Sequence, residues 1–177
     1  DAGIVVEQVE DEISAINMAL GASFAGARSM TATSGGGLCL MVEGLSLQGI
    51  MEIPLVVVNS QRPGPSTGIA TRTEQSDLDF ALTAGHGEFP RMVIALKNPE
   101  EAFYQTARAL NIADKYRVLV ILLTDQYLAD TAVTIPPYDF EQVTIDRYIM
   151  SKEELGNEDF KSYKLTENGI SPRIIPG

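Results

Sequence analysis

The chain has 177 residues, a length that suits one domain or one domain followed by an irregular segment. Hydrophobic residues make up 45% and charged residues 21%, so a packed core is expected rather than disorder. Thirteen basic residues against 24 acidic ones give a net charge of −11, which argues against a nucleic-acid partner. The single cysteine, Cys39, excludes an internal disulfide, a four-cysteine zinc site and a self-contained iron–sulfur cluster.

The longest aliphatic run, Val118–Leu123, is far shorter than the roughly 20 residues that a membrane span needs. The first residues also lack the basic and apolar regions of a signal peptide. We therefore expect a protein that does not enter a membrane and resides in the cytoplasm.

Apolar runs alternate with helical patterns over residues 1–130, which we predict to be one α/β domain. In chain order the pattern predicts a strand at Ile4–Val9, a helix over Glu10–Gly26, a strand at Arg28–Thr33, a helix over Leu38–Met51, strands at Ile53–Asn59 and Met92–Leu96, a helix from Asn98 to about Tyr116 and a strand at Val118–Thr124. Strands that are apolar throughout and alternate with helices predict an open, mainly parallel sheet with helices on both faces.

Beyond Asp130 this alternation ends. Pro136-Pro137, an acidic stretch at Glu153–Asp159 and two late prolines predict an extended arm or linker over residues 131–177. We expect the arm to lie on a partner surface and to lead towards a further domain.

Ligands bind at the carboxyl ends of the strands in such a sheet. Three segments are expected to meet there: Gln8–Glu12, Thr33–Gly37 and Asn59–Thr73. The candidate chemistry lies in these segments.

Glu12 begins the first predicted helix and permits two interpretations. It either complements the helix dipole or is a carboxylate buried at a helix–helix contact, where it shares a proton with a ligand nitrogen. The turn Ser34-Gly35-Gly36-Gly37 joins a strand to a helix and is either a plain tight turn or a place where a ligand approaches the backbone. It is neither a P-loop nor a dinucleotide fingerprint.

Arg62 follows the central strand in a half of the chain that contains few cations. Its planar guanidinium suits the bidentate capture of a carboxylate. The alternative is a surface arginine paired with Glu74 or Asp77.

Three further residues are assigned structural roles. His86 lies between glycines and is interpreted as a structural or interface residue. Cys39, within a predicted helix, is expected to be a small buried apolar side chain, and Asp125 is expected to cap the segment that follows the last strand.

Taken together, the segments Glu10–Ala19, Met30–Gly37 and Arg62–Gly68 resemble the alpha subunit of 2-oxoacid:ferredoxin oxidoreductases of the 2-oxoglutarate or pyruvate type. Gly85–Glu88 and Asn168–Arg173 fit the same subunit. Within it, the segments resemble the pyrimidine-binding domain of thiamine-diphosphate enzymes.

The resemblance implies roles for single residues. Glu12 would be catalytic and would hydrogen-bond the N1′ of the thiamine diphosphate pyrimidine ring, favouring the tautomer that takes the C2 proton. Arg62 would hold the substrate carboxylate, and Thr67 in the same loop would also bind substrate. Ser34, Gly35 and Gly36 would lie beside the cofactor at a subunit interface.

The resemblance also implies partners that this chain does not contain. The reaction would be the oxidative decarboxylation of a 2-oxoacid to acyl-CoA, with electrons passed to ferredoxin. A beta subunit would share the thiamine diphosphate and would carry the magnesium ion and the iron–sulfur clusters, so that the alpha subunit is inactive alone. An upstream strand of the family domain and the domain after Pro176 are missing from the sequence, which suggests a fragment.

Two alternatives stay open. One is a non-catalytic assembly or binding domain with the same fold, suggested by the acidic arm. The other is a stand-alone nucleotide-binding domain, which the missing phosphate fingerprint disfavours.

Overall fold

The computed structural model describes residues 3–156 and 159–176, which form a four-stranded sheet, several helices and a long arm. The elements in chain order are α1 (Glu12–Phe24), β1 (Met30–Ser34), α2 (Gly35–Leu40), α3 (Val42–Met51), β2 (Leu55–Gln61), α4 (Leu78–Thr83), β3 (Arg91–Ala95), α5 (Pro99–Tyr116), β4 (Leu119–Asp125), α6 (Gln126–Ala129), a 3-10 turn (Phe140–Gln142) and α7 (Lys152–Leu155).

All strand pairs are parallel, and the strand order is β1-β2-β4-β3. The central strands β2 and β4 are apolar along most of their length because both faces of the sheet are covered. Val57 and Ile121 pair on the face that packs against α1 to α4, whereas Val56 and Val120 pair on the face that packs against α5. The structure thus confirms the predicted parallel sheet between helices.

Polar side chains cap three of the helices at their first turn. The carboxylate of Asp11 accepts a hydrogen bond from the Ser14 backbone at 2.7 Å and caps α1. Asn98 caps α5 in the same way, with Pro99 as the first helical residue. Asp125 caps α6 through the Leu128 backbone N–H, as predicted.

Two predicted elements differ from the structure, and one short helix was not predicted. Ile4–Val9 is not a strand: Ile4, Val5 and Val6 are 75–85% exposed, and no neighbouring strand among the described residues pairs with them. β-branched residues favour an extended backbone, but a strand also needs a partner ladder. The predicted helix Leu38–Met51 begins earlier, at Gly35, and is divided at Met41 into α2 and α3, while the short α4 was missed.

The arm lies on the chain's own domain, and the expectation that it lies on a partner surface stays a prediction. It follows α5, starting where the ring of Tyr138 stacks on Phe103 with 4.0 Å between centroids. It ends where Arg173 donates to the buried Asp114 carboxylate at 2.6 Å. The division between residues 1–130 and 131–177 stays a prediction.

Within the described part of the chain, no helix combines the length and the apolar character that crossing a bilayer would require.

Candidate active-site cleft

A cleft of about 620 Å³ opens at the carboxyl end of the sheet. It lies between the start of α1, the first turn of α2 and the loop that follows β2. The predicted site residues that line it are Glu12, Gly35, Gly36, Arg62 and Thr67. The parallel topology thus brings together segments that are up to 55 residues apart in sequence, from 12 to 67.

Ser34 is the predicted site residue that does not line this cleft. It is half-buried at the last position of β1, where it precedes α2 without a side-chain capping hydrogen bond. Its contribution to the site is therefore to turn the backbone from β1 into α2.

Gly37 leaves the space in which the Glu12 side chain lies. A Cβ atom at Gly37 would stand 2.7 Å from Oε1 of Glu12 and 2.0 Å from the hydroxyl oxygen of Thr33. Both distances are below van der Waals contact. The glycine is thus required for the position of the carboxylate.

The two preceding glycines have similar neighbours from the other side of the cleft. A Cβ at Gly36 would stand 3.4 Å from a terminal nitrogen of Arg62, and one at Gly35 would stand 2.5 Å from Oδ2 of Asp77. The glycine turn, which could have been a plain tight turn, therefore packs closely against three charged side chains.

The Glu12 carboxylate is half-buried and has no hydrogen bond or ion pair within residues 3–156 and 159–176. As the first residue of α1 it also complements the helix dipole. The other interpretation, a carboxylate that shares a proton with a ligand nitrogen, stays a prediction. Its oxygens remain available to accept a hydrogen bond from a bound molecule.

Its neighbour Asp11 has a different role. The pKa of the Asp11 carboxyl is lowered from its usual value because the backbone N–H of Ser14 donates a hydrogen bond to the carboxylate. Asp11 therefore serves the helix, and Glu12 faces the cleft.

Arg62 is half-buried, and its Nε has no hydrogen-bond partner among the described residues although water cannot reach it. Neither of the two acids considered as partners, Glu74 and Asp77, forms an ion pair with Arg62. The alternative of a paired surface arginine is wrong. A half-buried guanidinium without a partner is suited to bind an anion.

The loop after Arg62 is closed by its own backbone. The N–H of Ile69 donates to the carbonyl of Pro63 at 3.2 Å, and that of Gly68 donates to Pro65 at 3.1 Å. Gly68 has a φ of +54°, and a Cβ there would stand 1.8 Å from the Pro63 carbonyl oxygen. This closure leaves Thr67 exposed at the rim of the cleft.

Cys39 was predicted to be buried, and Asp77 was not predicted to line the cleft. Cys39 is exposed and lines the cleft, because the core-facing positions of α2 and α3 are taken by Leu38, Met41 and Leu45. That spacing of three and four residues was visible in the sequence and leaves Cys39 outside. The role of Asp77 in the cleft gives no comparable signal.

His86 lies outside the cleft, where its backbone N–H donates to the Ser46 hydroxyl at 2.8 Å. In the segments 3–156 and 159–176, no group of three His, Cys, Asp or Glu residues is arranged to hold a metal ion.

The whole chain is similar to known proteins. Residues 1–174 match the family model described as pyruvate flavodoxin/ferredoxin oxidoreductase, thiamine diphosphate-binding. The chain is 48% identical over 177 residues to the 2-oxoacid:ferredoxin oxidoreductase 1 alpha subunit of Sulfurisphaera tokodaii, covering 98% of this chain and 28% of that one. It is 42% identical over 137 residues to a 2-oxoglutarate synthase subunit of Archaeoglobus fulgidus, covering 76% of this chain and 40% of that one.

A solved structure shows the same fold. The 2-oxoglutarate:ferredoxin oxidoreductase from Magnetococcus marinus, with 2-oxoglutarate, coenzyme A and succinyl-CoA bound, superimposes with a TM-score of 0.89 and 46% identity. The match covers 96% of this chain and 29% of that one. The chain thus spans less than half the length of the relatives it matches.

Proposed function

The chain belongs to the thiamine-diphosphate-binding family of pyruvate flavodoxin/ferredoxin oxidoreductases, and we propose that it supplies the catalytic glutamate and the substrate-binding arginine of a 2-oxoacid:ferredoxin oxidoreductase. One observation carries this proposal. A carboxylate, Glu12, and a guanidinium, Arg62, open into the same cleft, and neither is neutralised within the described part of the chain.

The cleft residues fit the pyrimidine half of thiamine diphosphate. Glu12 offers a hydrogen-bond acceptor, and the glycine turn Gly35–Gly37 offers a backbone surface that a side chain would otherwise fill. When bound, thiamine diphosphate supplies the carbon nucleophile for a 2-oxoacid and stores the electrons left after CO₂ departs. The half of the cofactor that carries the diphosphate would be held by the beta subunit.

In this proposal Glu12 holds a proton against a ring nitrogen of the cofactor. Enclosure of the cleft by a second subunit would remove water from the carboxylate and strengthen that hydrogen bond. Gly37 keeps the carboxylate in place, since no larger residue fits between it and Thr33.

Arg62 binds the carboxylate of the 2-oxoacid through two parallel N–H groups, which fixes the direction of the keto carbon. Thr67 at the rim offers a hydroxyl to the same substrate. Gly35 and Gly36 shape the wall beside the cofactor, and Ser34 turns the backbone into that wall.

The wider assembly is inferred from the relatives. Proteins similar to this chain are named as alpha subunits, and the Magnetococcus marinus enzyme binds 2-oxoglutarate and coenzyme A. We infer a beta subunit that carries magnesium and the iron–sulfur clusters, with acyl-CoA as product and ferredoxin as electron acceptor. We place the complex in the cytoplasm, where a free, exposed thiol such as Cys39 stays reduced.

Replacing Glu12 by Gln in the assembled full-length enzyme tests the proposal. The amide removes the proton-holding carboxylate, so 2-oxoacid-dependent ferredoxin reduction is expected to fall by about 10²–10⁴-fold. Glu10→Gln is the matched control, because Glu10 lies two residues before Glu12, is exposed and does not line the cleft. Equal activity of both variants would refute the role of Glu12 and favour the non-catalytic assembly domain.

A further inference from the structure

Asp77 occupies the N-cap position of α4 but does not cap that helix. An aspartate at this position normally accepts a hydrogen bond from the first helical turn. Instead, its Oδ2 accepts one from Nδ2 of Asn59 at 3.1 Å and lies directly against Gly35 of the glycine turn. The Asp77 carboxylate therefore lies against the wall of the cleft and does not cap its own helix.

The groups that hold Asp77 are buried at the carboxyl end of the central strand β2. Asn59 is fully buried, and Gln61 is 5% exposed. The Gln61 side chain accepts a hydrogen bond from the Asp77 backbone at 2.9 Å and donates one to the Thr124 carbonyl at 3.1 Å. Asp77 is thus fixed to both β2 and β4.

This arrangement closes the loop that carries Arg62. The loop begins directly after Gln61 and ends at Asp77, so the Gln61–Asp77 hydrogen bond joins its two ends. At the same point the Asp77 carboxylate meets Gly35, while the next glycine, Gly36, meets Arg62. Asp77 therefore joins the sheet, the end of the loop and the glycine turn.

We propose that Asp77 is a positioning residue: by binding Asn59 and packing on Gly35, it fixes the distance between Arg62 and the wall of the cleft. This inference rests on the proposed role of Arg62 in binding the 2-oxoacid carboxylate. It requires an acceptor oxygen at the length of an aspartate side chain, because the space beside Gly35 leaves no room for a longer one.

The test uses the assembled full-length oxidoreductase and measures KM for the 2-oxoacid and kcat separately. Asp77→Ala is expected to raise KM on the order of tenfold with kcat changed less than about twofold, because the substrate arginine is misplaced while Glu12 is not. Asp77→Asn keeps the acceptor oxygen for Asn59 and is expected to restore KM to within about twofold. Asp77→Glu, which keeps the charge but is longer, should again raise KM if Asp77→Ala does not assemble.

Two further variants separate the possible failures. Asp79→Ala removes an exposed carboxylate two residues away and is expected to leave both constants unchanged. Arg62→Ala should raise KM at least as much as Asp77→Ala, and the double variant should raise it no further than Arg62→Ala alone.

The outcomes distinguish the two levels of inference. If Arg62→Ala raises KM but Asp77→Ala and Asp77→Glu do not, the positioning role is overturned and the proposed function stands. If Asp77→Ala lowers kcat and the melting temperature without raising KM, Asp77 is merely structural and the positioning role is also overturned. If Arg62→Ala leaves KM unchanged, the proposed role of Arg62 fails, and the positioning role fails with it.

Discussion

The arginines at the two ends of the sheet differ in whether they have partners within the chain. At the amino end, Arg28 and Arg173 both donate to the Asp114 carboxylate, at 2.8 and 2.6 Å, and Arg117 donates to the Glu52 and Pro172 carbonyls. At the carboxyl end, Arg62 is half-buried and has no ion pair with any described residue.

The difference separates arginines that are paired within the chain from one that is not. Arg28, Arg117 and Arg173 at the amino end are hydrogen-bonded within the chain, and these bonds hold the arm. Burial even lowers the pKa of Arg173, although the neighbouring Asp114 carboxylate opposes that shift. Arg62 has no partner within the described residues, which is the state expected of a group that binds a molecule from outside.

The largest effect is expected at the amino end. Replacing Asp114 by Ala leaves Arg28, Arg147 and Arg173 without their shared counter-charge, which should reduce the free energy of unfolding by about 3–5 kcal/mol. Chemical denaturation of the full-length alpha subunit measures this loss. Glu88→Ala, at an exposed loop position, is the control and should change stability by less than about 0.5 kcal/mol. A loss no larger than that of the control would show that the two ends do not differ in this way.

An intermediate effect is expected at the glycine turn. Alanine at Gly37 would collide with Thr33 and displace Glu12, so turnover should fall at least about tenfold and stability by about 1–3 kcal/mol. Gly21→Ala is the matched control, because Gly21 also lies in a helix and a Cβ there meets no atom within 4 Å. This control should stabilise the protein by about 0.5–1 kcal/mol. Assays of turnover and of the unfolding midpoint compare the two, and full activity of Gly37→Ala would contradict the geometry.

The smallest effect concerns the pH dependence of the α1 cap. Because the pKa of Asp11 is lowered in the folded protein, its stabilising contribution is present above the usual carboxyl pKa. It is lost as the pH falls through that value and the lower folded one. Asp11→Asn keeps a capping oxygen but cannot titrate, so its stability relative to the natural protein should rise towards low pH. Thermal denaturation between pH 3 and 7 measures the difference, and a constant difference would contradict the assignment.

The fold was predictable where burial dictates sequence. Both faces of β2 and β4 are covered, so their residues form apolar runs from which the strands can be identified. Ile4–Val9 carries the same signal, but the neighbouring strand that a β-strand requires is not encoded within the segment. The path of the arm could not be predicted either, because it depends on Asp114, which is 59 residues away from Arg173 in the sequence.

The residues that line the candidate cleft were predictable where they belong to compact motifs. Glu12, the glycine turn and Arg62 lie in short segments with a distinctive composition, and parallel topology brings those segments to one edge. The contact between Asp77 and Asn59 was not predicted, because the sequence suggested Asp77 only as an ion-pair partner of Arg62. Only the three-dimensional arrangement shows that Asp77 turns towards Gly35 instead.

The arginines that hold the arm donate hydrogen bonds mainly to its backbone. Arg28 donates to the carbonyl of Asp146, and Arg117 donates to the carbonyls of Ser162 and Pro172. Every amino acid offers a carbonyl oxygen, so most side chains along the arm can be exchanged during evolution without loosening this attachment. Homologous arms can therefore diverge in sequence while following one path, provided that the arginines beneath them are retained.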